Sequence, residues 1–155
     1  MAVDSIPDVD TVDRMWIDVD GRPVALYVVE LGLACCGIEV REARRLAEAA
    51  GAVREPSSSR DSGGPPEDLL HVLVVAGTVT VALAPVLRAA FDGLPHPRAV
   101  LAFGACAATG GPYWDSYTVL PGAHEVVPVD AWVAGCPPRP EDLVAGLAEV
   151  LGGPH

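Results

Sequence analysis

Short valine-rich runs alternate with helix-forming stretches along this 155-residue chain, and the alternation predicts an α/β fold. Helices of about ten residues or more between strands imply crossover connections, hence a mainly parallel sheet with helices on both faces. The strand runs are almost continuously apolar, as expected of strands covered on both sides. Together these features describe a flavodoxin-like three-layer sandwich. In such sheets ligands gather beyond the carboxyl ends of the strands.

The first run, Pro23 to Val29 (PVALYVV), reads as a buried strand. From Ile38 to Ala50 (IEVREARRLAEAA), the residues Ile38, Ala43, Leu46 and Ala50 fall close to helical spacing, with Gly51 as a stop. Ala52 to Arg54 is a weak strand candidate. The Ser/Gly/Pro tract over residues 55–68, EPSSSRDSGGPPED, reads as a mobile loop. Leu70 to Ala76 (LHVLVVA) is a buried strand, and a helix follows from about Val81 to Phe91 with Pro85 near its first turn. Arg98 to Phe103 (RAVLAF) is a further strand, and Val126 to Val129 a short one. Pro140 opens a last helix to about Leu151, with Glu141 and Asp142 placed against the positive end of its dipole and Gly152-Gly153 beyond its end.

The length fits one domain over residues 1–155, and the 50% hydrophobic content is enough to bury a core. Residues 1 to about 14 are expected to form a disordered tail. No run of about 18 apolar residues predicts a membrane span. The acidic start MAVDSIPDVD lacks the basic and apolar regions of a secretory signal, so a cytoplasmic location is expected. A net charge of −11 argues against a nucleic-acid surface and favours protein partners. All ten basic residues are arginine, which rules out a Walker-type lysine and a Schiff-base lysine. No Gly-x-Ser-x-Gly elbow or Gly-x-Gly-x-x-Gly fingerprint is present.

Chemistry concentrates in the cysteines. There are four: the pair Cys35-Cys36 in LGLACCGIEV, Cys106 in AFGACAATGG and Cys136 in VAGCPPRP. The pair and Cys106 follow predicted strands directly, and Cys136 lies in the loop before the last helix, so the topology lets all of them converge at one edge. Four thiols with none left over match the ligand count of a 4Fe-4S cluster. Adjacent side chains on an extended segment diverge, so both cysteines of the pair reach one cluster only if the backbone bends, which the flanking Gly32 and Gly37 permit. Gly104 and Gly110-Gly111 give the Cys106 segment similar freedom, and Pro137-Pro138 fix the chain's exit from Cys136. A reducing compartment disfavours two structural disulfides. Buried core cysteines, a vicinal redox disulfide and a four-thiolate zinc site are the alternatives, although the usual Cys-x2-4-Cys zinc knuckles are absent.

The other candidates have plainer readings. Tyr113, Trp114 and Tyr117 follow the Cys106 glycines and can shield a cluster or face a partner, with core packing the favoured expectation. His71 falls in a predicted core strand, while His96, His124 and His155 sit in turns or at the terminus without ligand spacing.

The segments LACCGIE, VLVVAGTVT, LAPVLRAAFDGLPHPRAVLAFGACAATGG and VVPVDAWVAGCPPRPEDLVAGL resemble the B-subunit family of bacterial NADH-quinone oxidoreductase, respiratory complex I. That family shares ancestry with the small subunits of nickel-iron hydrogenases. The resemblance covers about Leu31 to Glu39 and nearly all of Leu70 to Leu151. It implies that Cys35, Cys36, Cys106 and Cys136 ligate one 4Fe-4S cluster, the last carrier before quinone. It also implies a large catalytic partner subunit, and a peripheral place on the cytoplasmic face of the inner membrane through the complex. Glu39 and Asp130 match family positions; Glu39 reads as second-sphere, proton-linked or an ordinary helix carboxylate, and Asp130 as structural. Adjacent cysteines, in place of Cys-x-x-Cys, resemble the quinone-reducing branch.

The chain departs from the family at two places tied to quinone. Val40-Arg41 stand where the family has methionines, and the tract over 55–68 replaces an arginine-containing Ser-Pro-Arg segment. Besides a complex I-like electron-transfer subunit, the sequence admits a small subunit of a membrane-associated nickel-iron hydrogenase or related dehydrogenase, and a cluster-free thiol-redox or interaction module.

Overall fold

The computed structural model describes residues 13–31, 35–54 and 69–154. The expected tail over 1–12 and the expected loop over 55–68 lie outside the described residues, as does Gly32. The described part opens on an antiparallel hairpin of β1 (Asp13–Val19) and β2 (Arg22–Leu31). Asp20 and Gly21 make its two-residue turn with φ of 52° and 77°. An Asp-Gly pair tolerates two positive φ angles and is among the strongest hairpin signals a sequence carries. Here it finds a strand where a tail was expected to reach residue 14.

Six strands form one sheet in the order β3-β1-β2-β4-β5-β6, with β3 (Val53–Arg54), β4 (Leu70–Gly77), β5 (Arg98–Phe103) and β6 (Ala131–Val133). The pairs β2·β4, β4·β5 and β5·β6 are parallel, whereas β1 is antiparallel to both β2 and β3. Without β1 the order is the flavodoxin-like 2-1-3-4-5, so the expected fold class holds, with one antiparallel strand inserted near an edge. The short strand expected at Val126 to Val129 is a correction. Those valines follow a 3-10 turn at Ala123–Glu125 and pack onto one face of the sheet, while the last strand forms at Ala131–Val133. A short apolar run does not by itself separate a strand from a packed loop.

Helices cover both faces. On one side α1 (Cys35–Ala49) and α4 (Pro140–Leu151) pack over Leu26, Val72, Leu101 and Phe103 through Val40 and Leu147. On the other, α2 (Ala84–Asp92) brings Leu87 against Tyr27, Leu73 and Val75. Strand β4 is buried along nearly its whole length, which explains its unbroken apolar sequence. Asp130 ties β6 to β5: its carboxylate accepts the Val100 N–H at 2.7 Å, and its own N–H donates to the Val100 carbonyl at 2.9 Å. The structural role expected of Asp130 is what it has.

Register brings the carboxyl ends of the parallel strands level. Leu31 pairs with Gly77, Ala76 with Phe103, and Phe103 with Val133. The segments that leave these ends carry all the cysteines. Beyond β2 the chain turns back toward β3, and beyond β4 it proceeds the other way, so this rim includes the sheet's topological switch point.

Candidate thiol centre at the carboxyl edge of the sheet

Cys35 and Cys36 occupy the first turn of α1, which begins three residues before the expected Ile38. The bend anticipated in an extended segment is thus supplied by helical geometry, where successive side chains are about 100° apart. Cys35 is exposed and Cys36 is 1% exposed, beneath the helix. Gly37 lies against the Glu30 side chain, and the Arg41 Nε–H donates to its carbonyl at 3.3 Å while Arg41 pairs with Glu30 at 3.4 Å. This small network fastens the first turn of α1 to the end of β2.

Cys106 sits in a five-residue helix, α3 (Ala105–Thr109), directly after β5 and is 5% exposed. No helix was expected here, because so short a helix lacks a full period of apolar residues to betray it. Two backbone bonds hold the corner: Gly104 N–H donates to Val133 O and Ala105 N–H to Gly135 O, each at 2.8 Å. They join the exit of β5 to the exit of β6, and so set Cys106 beside the Gly135-Cys136 segment. Cys136 is exposed, and its bond to Pro137 is cis.

The two buried sulfurs need close backbone approach. Gly104 has φ of 96°, and a Cβ there would stand 2.4 Å from Cys36 Sγ. At Gly111 a Cβ would stand 2.9 Å from Cys106 Sγ. Glycine at both places removes the atom that would displace a sulfur. The Cys36 thiol is pushed up to about 12, first by burial and then by the neighbouring Cys35, Cys106 and Cys136, with a hydrogen bond that its S–H donates to the Cys35 sulfur adding to the effect. One sulfur therefore feels the other three, although they come from segments that are distant in sequence. All four are free thiols. Among the described residues, no three His, Cys, Asp or Glu side chains are placed to hold a single metal ion.

The remaining candidates divide. Val40 is buried in the core under α1, and Arg41 is directed to Glu30 and Gly37. His71 hydrogen-bonds the Tyr27 hydroxyl at 2.8 Å within the fold, away from the thiols in its strand register. Glu39 is half-buried on α1. Tyr113, Trp114 and Tyr117 do not pack in the core: they are 57%, 72% and 96% exposed. The expectation of core packing fails because the Gly110-Gly111 turn carries the following residues outward, which aromatic composition does not reveal.

The profile of NADH ubiquinone oxidoreductase, 20 Kd subunit, matches residues 34–150, which takes in every cysteine. The chain belongs to this family. The B 1 subunit of the NADH-quinone oxidoreductase of Salinispora tropica is 41% identical over 130 residues, covering 82% of this chain and 65% of that protein. The B 2 subunit of the same enzyme from Symbiobacterium thermophilum is 45% identical over 119 residues, covering 77% and 63%. The chain thus spans somewhat under two thirds of the length of these relatives. Among solved structures, a chain of the membrane-bound sulfane sulfur reductase, an archaeal respiratory membrane complex, is similar at a TM-score of 0.59 and 28% identity, covering 81% of this chain and 68% of that one. A chain of an NAD+-reducing [NiFe]-hydrogenase shares the fold at a TM-score of 0.51 and 22% identity, covering 85% and 93%. No helix among the described residues of this family member is long and apolar enough to cross a membrane.

Proposed function

We propose that this chain is the electron-transfer subunit of a complex I-like NADH-quinone oxidoreductase, carrying one 4Fe-4S cluster on Cys35, Cys36, Cys106 and Cys136. The observation that carries the reading is the gathering of these thiols at one rim, on the segments that leave the level ends of β2, β5 and β6, with Gly104 against the Cys36 sulfur and tied by its N–H to the exit of β6. The donor set suits the group. Thiolates are the ligands of such clusters, and a cube presents its four ligand positions at separate corners, so its thiols stand farther apart than those around one ion. The missing Cβ atoms at Gly104 and Gly111 leave the two inner sulfurs in place beside the backbone.

When bound, the cluster supplies one-electron transfer. The chain's own part is to hold it. Cys36 and Cys106 would hold it from the buried side, where the apolar core beneath α1 and α3 excludes water. Cys35 and Cys136 lie on the exposed side, the approach for a donor or acceptor in a neighbouring subunit. No proton-transfer or nucleophilic residue is required of this chain. Partners are then a large catalytic subunit and other redox subunits, with electrons passing toward quinone and the assembly seated on the cytoplasmic face of the membrane. Because Val40 is buried, it offers quinone no surface, and such contacts fall to other residues or to the partner.

Anaerobic purification of the intact assembly, followed by iron and sulfide analysis and paramagnetic resonance of the reduced sample, tests this reading. About four iron and four sulfide per chain are expected, with the reduced cluster signal lost or altered by Cys106→Ser. An assembly without iron on this subunit overturns it.

A further inference from the structure

We propose that the segment from Gly111 to Leu120 is a preformed docking face for a protein subunit whose contact surface combines arginine with apolar side chains. The proposal rests on the function above and deepens it by locating a subunit contact beside the Cys106 end of the thiol rim.

Three observations carry it. The first is exposure of the wrong residue types: Tyr113, Trp114 and Tyr117 are 57%, 72% and 96% exposed, and Val81 beside them is 57% exposed. Tryptophan and tyrosine dominate the energetic centres of protein interfaces, since each contributes large apolar area with a polar tip and few rotatable bonds.

The second is that the segment is rigidly built, so these aromatics are not displayed by a wandering loop. Tyr113 and Trp114 N–H groups close a 3-10 turn onto Gly110 and Gly111. Ser116 N–H donates to Tyr113 O at 3.0 Å, Val81 N–H to Thr118 O at 2.9 Å, and Leu120 N–H to Val79 O at 2.8 Å. A surface already ordered in the free chain loses little conformational freedom on association.

The third is charge. Between Arg98 and Arg139 the sequence contains no lysine or arginine, while Asp115, Glu125 and Asp130 are acidic. Asp115 is exposed between Trp114 and Tyr117. Exposed aromatic faces with an adjacent carboxylate attract a guanidinium both by stacking and by pairing. Aromatic side chains also settle at lipid-water boundaries, but an anionic leaflet draws basic side chains, which this segment lacks.

The position gives the contact its purpose. Gly111 lies against Cys106, so a subunit seated on this face borders the Cys106 end of the thiol rim.

The test uses the native assembly, purified through a tag on this chain, with the photo-crosslinking residue p-benzoylphenylalanine replacing Tyr117. Crosslinking to an arginine-containing peptide of one co-assembled subunit is expected, and the double variant Trp114→Ala, Tyr117→Ala and the single variant Asp115→Arg should each lower recovery of that subunit at least tenfold. Crosslinks to lipid, or full recovery of every subunit with the double variant, overturn the proposal. Iron and sulfide are measured on the same samples. A crosslinked chain without iron upholds this face and refutes the electron-transfer reading; an iron-loaded chain without the crosslink does the reverse.

Discussion

Replacing Gly104 by alanine tests whether the Cys36 sulfur lies where the structure puts it. The added Cβ would stand 2.4 Å from Cys36 Sγ, whereas ordinary contacts begin at about 3.5 Å, so the sulfur must withdraw by about 1 Å. The backbone adds its own term. With φ of 96° and ψ of 165°, position 104 lies in a region almost reserved for glycine, where a side chain costs about 1–3 kcal/mol. Overpacking against a buried thiol adds about 1–3 kcal/mol more. A double-mutant cycle separates the two, because Cys36→Ala removes the sulfur and leaves the backbone unchanged. In urea titrations of the cluster-free chain, Gly104→Ala should destabilise by about 2–6 kcal/mol beside Cys36 and by only the strain term, about 1–3 kcal/mol, beside Ala at position 36. Gly51→Ala, with φ of 70° and no neighbour within 4 Å of the added atom, reports strain without a clash. A coupling below about 0.5 kcal/mol would refute the placement of the sulfur over Gly104. In the iron-loaded chain the same substitution should lower iron per chain or shift the reduced resonance signal, while Gly51→Ala changes neither.

Three further outcomes follow from the packing. Asp130→Ala removes the acceptor of the Val100 N–H and should cost about 1–3 kcal/mol in urea denaturation. Gly146→Val forces a side chain into Val133, whose Cγ2 would stand 2.5 Å from the new Cβ, and should lower the melting temperature by several degrees, at about 2–4 °C per kcal/mol for a domain of this size. Leu73→Ala empties a fully buried position in β4 and should cost about 2–5 kcal/mol, a loss the denaturation midpoint reports directly.

The main strands and helices were legible because burial on both faces leaves a simple sequence trace. Strand β5 has the expected boundaries, and β4 and α4 nearly or fully so, since their apolar runs are bounded by charge, glycine or proline. What escaped had weaker local signals. Strand β1 needed the Asp20-Gly21 turn to be recognised, the α3 helix is too short for a period, and the valines before Asp130 look alike whether packed in a loop or in a strand.

For the thiol rim, the sequence by itself determined the candidates and their order along the chain: four cysteines after strands or before a helix, with glycines and prolines beside them. Which cysteines are inner and which outer was decided only by the tertiary structure. Cys35 and Cys36 are neighbours of identical chemistry, yet one is exposed and the other buried, because α1 starts at the pair and rotates the second toward the sheet. The outward turn of Tyr113, Trp114 and Tyr117 was settled in the same way. Composition records that a side chain is aromatic, but whether it meets core or solvent depends on where the backbone on either side is tied, and at Gly111 to Leu120 those ties come from Val79, Val81 and Cys106, residues the local sequence does not contain.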